Sequence, residues 1–291
     1  MSVPARPVVQ QAAFVGGAAG MRWRLVSEPA DGGCIGTVIA VHAFAEEMNK
    51  SRHMAARMAR LLAADGWRVV QKDLLGCGDS SGDFGDATWP AWVADVDDEL
   101  ARADAGRPVW LWGTRAGALL AAAALPRRPQ ANLLLWQPAL SGAQHLQQFL
   151  RLHAGARIVG SGKASSSAQS PAQQLRAGMP VEIGGYEVNP ALAAGLEAAS
   201  FDVPADFSGR IAWCEVGADA AADMSPAAAR VVERLRARGV AVATEVLAGP
   251  PFWQTQEIEV CEALLQCSQR ALGPSAGAST AAAAVFAESA P

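Results

Sequence analysis

At 291 residues and 51% hydrophobic content, the chain has enough apolar material for one large core, which excludes a disordered or fibrous protein. Its 24 Lys plus Arg against 28 Asp plus Glu leave a formal charge of -4, the wrong sign for holding nucleic acid or an anionic membrane surface. Five cysteines, Cys34, Cys77, Cys214, Cys261 and Cys267, form no CxxC pair, which points to a reducing compartment and away from structural zinc.

Along the chain, Ala12 to Met21 holds three glycines and no leucine, and reads as a strand and turn rather than a signal peptide. No apolar run approaches the roughly 20 residues of a membrane span. Thr37 to Val41 is a β-branched run leading into His42, and Lys50 to Ala64 repeats Met54, Met58, Leu61 and Leu62 at helical spacing. The alternation continues with Trp67 to Val70 as strand, Trp89 to Ala103 as helix, Val109 to Trp112 as strand and Ala116 to Leu125 as helix. Leu133 to Trp136 follows, and after an interruption come Ile211 to Val216, Ser225 to Arg238, Val240 to Leu247 and Thr255 to Leu272. Such alternation predicts an α/β fold, a mostly parallel sheet with helices on both faces.

Ser141 to Pro204 breaks the rhythm with a Gln-rich helix, a Gly/Ser stretch from Gly160 to Ser170, and an alternating segment, Val181 to Val188, around Gly184 and Gly185. This segment reads as a small cap. The expected organisation is a core of residues 1–140 and 205–272, a cap or lid of 141–204, and a disordered Ala, Ser, Gly and Pro tail of 273–291.

Ligands of an open parallel sheet bind beyond the carboxyl ends of its strands, so the turns there carry the chemistry. In VWLWGTRAGALLA, two glycines stand four apart between a buried strand and an apolar helix. This resembles the nucleophile elbow, Gly-x-Ser-x-Gly, of the α/β-hydrolase superfamily. VIAVHAF resembles the strand and turn that supply an oxyanion-hole amide, and DLLGCGDSSGDF the Asp-x-x-Gly-x-Gly-x-Ser loop after the next strand. Together with HAFAEEMNKSRHM and GPPFWQTQEIE, these strings are similar to the family of the second hydrolase-like protein associated with the exosortase A, or PEP-CTERM, system of exopolysaccharide-producing bacteria. The resemblance spans roughly Ala12 to Leu272. It implies a cytoplasmic α/β-hydrolase-fold protein with no established substrate; no cofactor is expected. A Gly-x-Arg-x-Gly elbow is usual in that family.

Arg115 stands where the superfamily carries its serine, and a guanidinium stays protonated and cannot attack a carbonyl. Where the hydrolase histidine would follow the last strand, the chain reads Gly249-Pro250-Pro251-Phe252, and His42, His53, His145 and His153 all lie earlier. An acid is available at Glu215, Asp219 or Asp223. With two triad members missing, at most the residual acceleration of roughly 10³ to 10⁴ from binding and oxyanion stabilisation survives.

Several residues are candidates for what remains. Cys77 beside His42 would make a reactive thiolate, with Asp219 as the acid; alternatively Cys77 is a small residue in a tight loop and His42 is bonded to backbone. Arg115, at the start of a helix, would bind a carboxylate, phosphate or sulfated sugar, or else pair internally with Glu46, Glu47, Asp79 or Asp219. Thr114, Ala43, Phe44 and Glu46 flank it, and Trp253 and Tyr186 are the aromatics expected to face an acyl or anionic small-molecule ligand. Asn49 or Ser51 would cap the helix after Glu46. Asp73, Asp79 and Asp83 lack the terminal glutamate of an EF-hand and read as turn residues rather than a metal site.

Overall fold

The computed structural model describes residues 6–160, 169–219 and 222–273, with 152–160 described as helix only. Ten strands run in chain order: β1 (Val8–Gly17), β2 (Gly20–Pro29), β3 (Gly36–Val41), β4 (Trp67–Lys72), β5 (Val109–Thr114), β6 (Asn132–Trp136), β7 (Val181–Ile183), β8 (Tyr186–Val188), β9 (Arg210–Gly217) and β10 (Ala241–Ala248). Eight α-helices accompany them among the described residues: α1 (Glu46–Ala64), α2 (Trp89–Arg102), α3 (Gly117–Ala124), α4 (Gly142–Gly160), α5 (Pro171–Arg176), α6 (Pro190–Ala198), α7 (Pro226–Ala237) and α8 (Glu262–Leu272).

Eight strands form one sheet in the order β1-β2-β4-β3-β5-β6-β9-β10. β1 and β2 join antiparallel, and everything from β4 onward is parallel. Strands of a parallel sheet are buried on both faces, which is why β5 is buried along its whole length and reads as an unbroken apolar run. Val38, Trp110, Trp112 and Leu134 pack with Met54, Met58 and Leu62 of α1 and with Leu264 and Leu265 of α8 on one face. Ile39, Val41, Leu111 and Leu135 pack with α2, α3 and α7 on the other. The expected α/β sheet with helices on both faces is therefore present.

Three local expectations change. Ala12 to Met21 belongs to a hairpin of two ten-residue strands, extending well beyond a single strand and turn. Helix α1 starts at Glu46 rather than Lys50, because Ala45 at φ 49 turns the backbone there with no side-chain cap, so neither Asn49 nor Ser51 caps it. Thr255 to Val260 is not helical: the Thr255 hydroxyl donates to the Glu257 carbonyl at 3.0 Å, a local bond that competes with the helix, and α8 begins only at Glu262.

Between β6 and β9 the chain leaves the sheet and forms α4, α5, the β7–β8 hairpin and α6. Tyr186 of this hairpin donates its hydroxyl to Glu46 at 3.1 Å and accepts from Asn49 at 2.9 Å, tying the excursion to the start of α1. Most of the Gly160 to Ser170 stretch and the chain after Gly273 lie outside the described residues.

Candidate functional site

The turn between β5 and α3 is a sharp elbow, and its glycines are obligatory. A Cβ on Gly113 would stand 2.6 Å from the Ala118 Cα, and one on Gly117 would stand 2.2 Å from the Val41 carbonyl oxygen. Arg115 between them sits at φ 54, in the left-handed region that costs a side-chain-bearing residue on the order of 1–2 kcal/mol. The other non-glycine residues with positive φ among those described, Ala45 at 49 and Gln137 at 43, also lie in turns beyond strand carboxyl ends. Strained backbone of this kind clusters at active sites and ligand clamps across proteins. The elbow is held to β6 by two bonds, Arg115 N–H to the Trp136 carbonyl and Ala139 N–H to the Arg115 carbonyl, both 3.0 Å.

The Arg115 side chain is only 13% exposed. Its Nε donates to Glu47 Oε1 at 3.1 Å and its Nη1 to the Gln137 carbonyl at 3.3 Å, while the guanidinium carbon lies 5.4 Å from the Trp253 ring centroid. The internal ion pair, one of the alternatives open from sequence, is present, and Glu47 is the partner. Its carboxylate lies in the first turn of α1, where the helix dipole favours an anion. Burial pushes its pKa up, and the Arg115 charge opposes that rise. Gln137 completes the frame, since its side-chain oxygen accepts from Val216 N–H at 2.7 Å and so fixes the end of β9.

His145 of α4 brings its Nε2 to 3.7 Å from Glu47 Oε2, too far for a hydrogen bond. Burial, with Arg115 adding to it, lowers its pKa to about 4. The folded value lies below the unfolded one of 6.5. The neutral ring thus contributes stability that is complete above the unfolded value and is lost as pH falls through the interval between them. His145→Gln is accordingly expected to flatten the decline of unfolding free energy between pH 6.5 and pH 4, measured by urea denaturation across that range; identical slopes in the two proteins would refute this.

The remaining candidates fall into separate groups. Phe44 is buried among Phe84, Trp92, His145 and Phe149 in edge-to-face contacts. Thr114 and Ala43 are buried, and Ala43 offers its carbonyl to His42 Nδ1 at 2.8 Å. Glu46 is exposed and bonded to Tyr186, whose own pKa is pushed up to about 12 by burial and by Glu46. Trp253 is buried with its ring against Arg115, so it shields the guanidinium instead of lining an open pocket.

The surroundings of Cys77 and His42 disfavour a thiolate–imidazole pair. Burial, then the Asp73 charge, pushes the Cys77 thiol up to about 12, so it stays protonated at neutral pH. Burial lowers the His42 pKa while Nδ1 is spent on backbone. Asp219 is exposed on the loop after β9, and the nearby Glu215 accepts from Ser225 N–H at 2.9 Å at the start of α7. Asp73 accepts from Arg52 and from Asp79 N–H, both at 3.1 Å, and Asp83 opens a single turn closed by Asp86, so these aspartates serve the loop. Glu47 was one of four sequence candidates, whereas Gln137 and His145 carried no motif signal. They enter the site only through the fold.

Residues 34–178 match the hydrolase family described as serine aminopeptidase S33. Among solved structures, the chain is similar to ferulic-acid-bound Est1E of Butyrivibrio proteoclasticus at 14% identity and TM-score 0.55, covering 89% of this chain and 98% of that one. It is similar to a carboxyl esterase of Bacillus coagulans at 16% identity and TM-score 0.53, covering 82% and 90%. A hydrolase of Agrobacterium vitis aligns at 18% identity and TM-score 0.53, covering 92% and 100%. No curated protein matches the sequence. Sheet order, elbow and these likenesses agree, and the chain is an α/β-hydrolase-fold protein.

Proposed function

We propose that this α/β-hydrolase-fold protein is catalytically silent and acts as a binding or scaffold protein of the cytoplasmic, exosortase A-associated exopolysaccharide machinery. The observation that carries the silent reading is the filled elbow: Arg115 holds the nucleophile position, pairs with Glu47 at 3.1 Å and is covered by Trp253 from the loop where a histidine would stand. The assignment to the exosortase system rests on the motif strings HAFAEEMNKSRHM, DLLGCGDSSGDFGD and GPPFWQTQEIE, and the reducing compartment on the cysteine composition. Residues 1–140 and 205–272 would form the core of such a protein, with 141–204 as its cap. An anionic ligand at the elbow would have to displace Glu47 from Arg115.

The rival reading is ester or thioester hydrolysis through a noncanonical site, and one observation favours it. The N–H groups of Phe44 and Ala116, where the superfamily binds an oxyanion, donate no hydrogen bond among the described residues. A panel of p-nitrophenyl acyl esters and acyl thioesters distinguishes the two, assayed with the wild type, Arg115→Ala and Cys77→Ala. No protein should exceed buffer. Wild-type turnover abolished by either substitution would overturn the silent reading.

A further inference from the structure

The two edges of the central sheet are built differently. At the β10 edge, the Arg236 guanidinium donates to the Val242 carbonyl at 2.8 and 3.3 Å, and Glu245 pairs with Arg270 at 2.8 Å. Charged side chains and a blocked carbonyl are the usual protection of an edge strand against further pairing. β1 has neither before Gly16. Its sequence, VVQQAAFVGG, contains no charged residue and no proline, in a chain whose formal charge is -4.

Val9 to Phe14 are all exposed, with Phe14 at 58%, and Met21 across the hairpin is 44% exposed. Pairing of Gly17 with Gly20 around a two-residue turn makes that pair hydrogen-bonded, and alternation then directs the odd residues of β1 toward β2. The bond from Ala30 N–H to the Pro7 carbonyl at 2.8 Å follows the same parity. Val8, Gln10, Ala12, Phe14 and Gly16 therefore turn their N–H and C=O groups outward, away from the sheet.

We propose that this edge is a self-association surface, and that its occupant is the β1 strand of a second copy, running antiparallel about a two-fold axis near Ala12. With the Gly16 carbonyl already taken by Arg102, an antiparallel partner satisfies the outward groups of both strands in about eight hydrogen bonds. The pairing is isologous, so each exposed Phe14 meets the partner strand near its Gln10. Because β1 is uncharged, self-pairing brings no like charges together, and it extends the eight-stranded sheet to a continuous one across two molecules. The contact is a strand edge with few large side chains, which sets a weak dimer with Kd between roughly 1 and 100 μM.

Sedimentation velocity of the full chain from 1 to 200 μM, the range this Kd requires, tests the proposal. The mass should rise from monomer to dimer with concentration. Ala12→Lys sets two ammonium groups face to face at the axis, and Ala12→Pro removes an outward N–H without touching the β2 ladder. Each should weaken dimerisation at least about tenfold at unchanged far-UV circular dichroism and Tm. Thr244→Lys on the opposite edge should leave it unchanged. Hydrogen exchange at high concentration should protect the Gln10, Ala12 and Phe14 amides in the wild type and in Thr244→Lys, and should leave Gln10 and Phe14 unprotected in the Ala12 variants. A monomer at every concentration overturns the proposal, as does a dimer that survives both Ala12 variants. So does protection of those amides at monomer concentration, since that would mean the edge is covered by this chain's own terminal segments.

Discussion

Arg115→Ala should destabilise the protein by about 2–4 kcal/mol, and alanine, which keeps the Cβ, relieves none of the backbone strain at φ 54. The cost arises from what remains. Glu47 keeps its burial and its upward-shifted carboxyl pKa, while losing the charge that opposes the shift and the bond at 3.1 Å. Trp253 loses the cation lying over its ring. A carboxyl whose folded pKa is raised is destabilised as pH rises through that value, so the deficit should be largest at neutral pH and smallest below the ordinary value of 4.5. Adding Glu47→Gln to Arg115→Ala removes the stranded charge and should recover more than about 1 kcal/mol. Urea denaturation of the four proteins of this cycle gives the coupling directly. If Arg115→Ala and Glu47→Gln prove additive, the ion pair does not hold the elbow closed.

Asp95→Ala should cost still more, about 3–5 kcal/mol, and lower Tm by about 10 °C. Asp95 on α2 receives Arg22 Nε at 2.9 Å on each oxygen and Leu75 N–H at 2.9 Å, while Lys72 Nζ donates to its backbone carbonyl at 2.9 Å. Arg22, Lys72 and Asp95 are all at least 96% buried. Removing the one carboxylate common to both cations leaves Arg22 with backbone carbonyls alone, those of Ala19 and Met21, and Lys72 with Asp98 and with Glu99, which also serves Arg24 and Arg102. Calorimetry of the variant decides the matter. A loss below about 1 kcal/mol would mean that water enters and rehydrates the cations, so that the network is dispensable to the β2–β4–α2 corner.

The parallel part of the fold was legible because strands buried on both faces leave short apolar runs between helical repeats, as in β3, β5 and β6. β1 and β2 were less so. Arg22 is a fully buried charge within β2, stabilised by Asp95 from 73 positions away, and β1 is exposed on both faces, so neither strand alternates cleanly. The helix expected from Thr255 failed because a six-residue stretch with plausible spacing includes Ile258, which is 74% exposed and so contributes little burial to hold a helix there. At the site, Gly113 and Gly117 announced the elbow and Arg115 its altered chemistry. Which acid would meet that arginine depends on how α1 enters from β3, a tertiary property that no local pattern encodes. His145 arrives from α4, beyond the next strand of the chain, and was invisible for the same reason.

The direction of the elbow side chain is set by its surroundings, by two glycines that admit no Cβ and by backbone bonds to β6, and owes nothing to the guanidinium. Position 115 is thus a socket. Whatever residue is installed there is aimed at the same small volume bounded by Glu47, Gln137 and Trp253, which makes this scaffold a ready frame for grafting chemistry by exchanging side chains without redesigning the main chain.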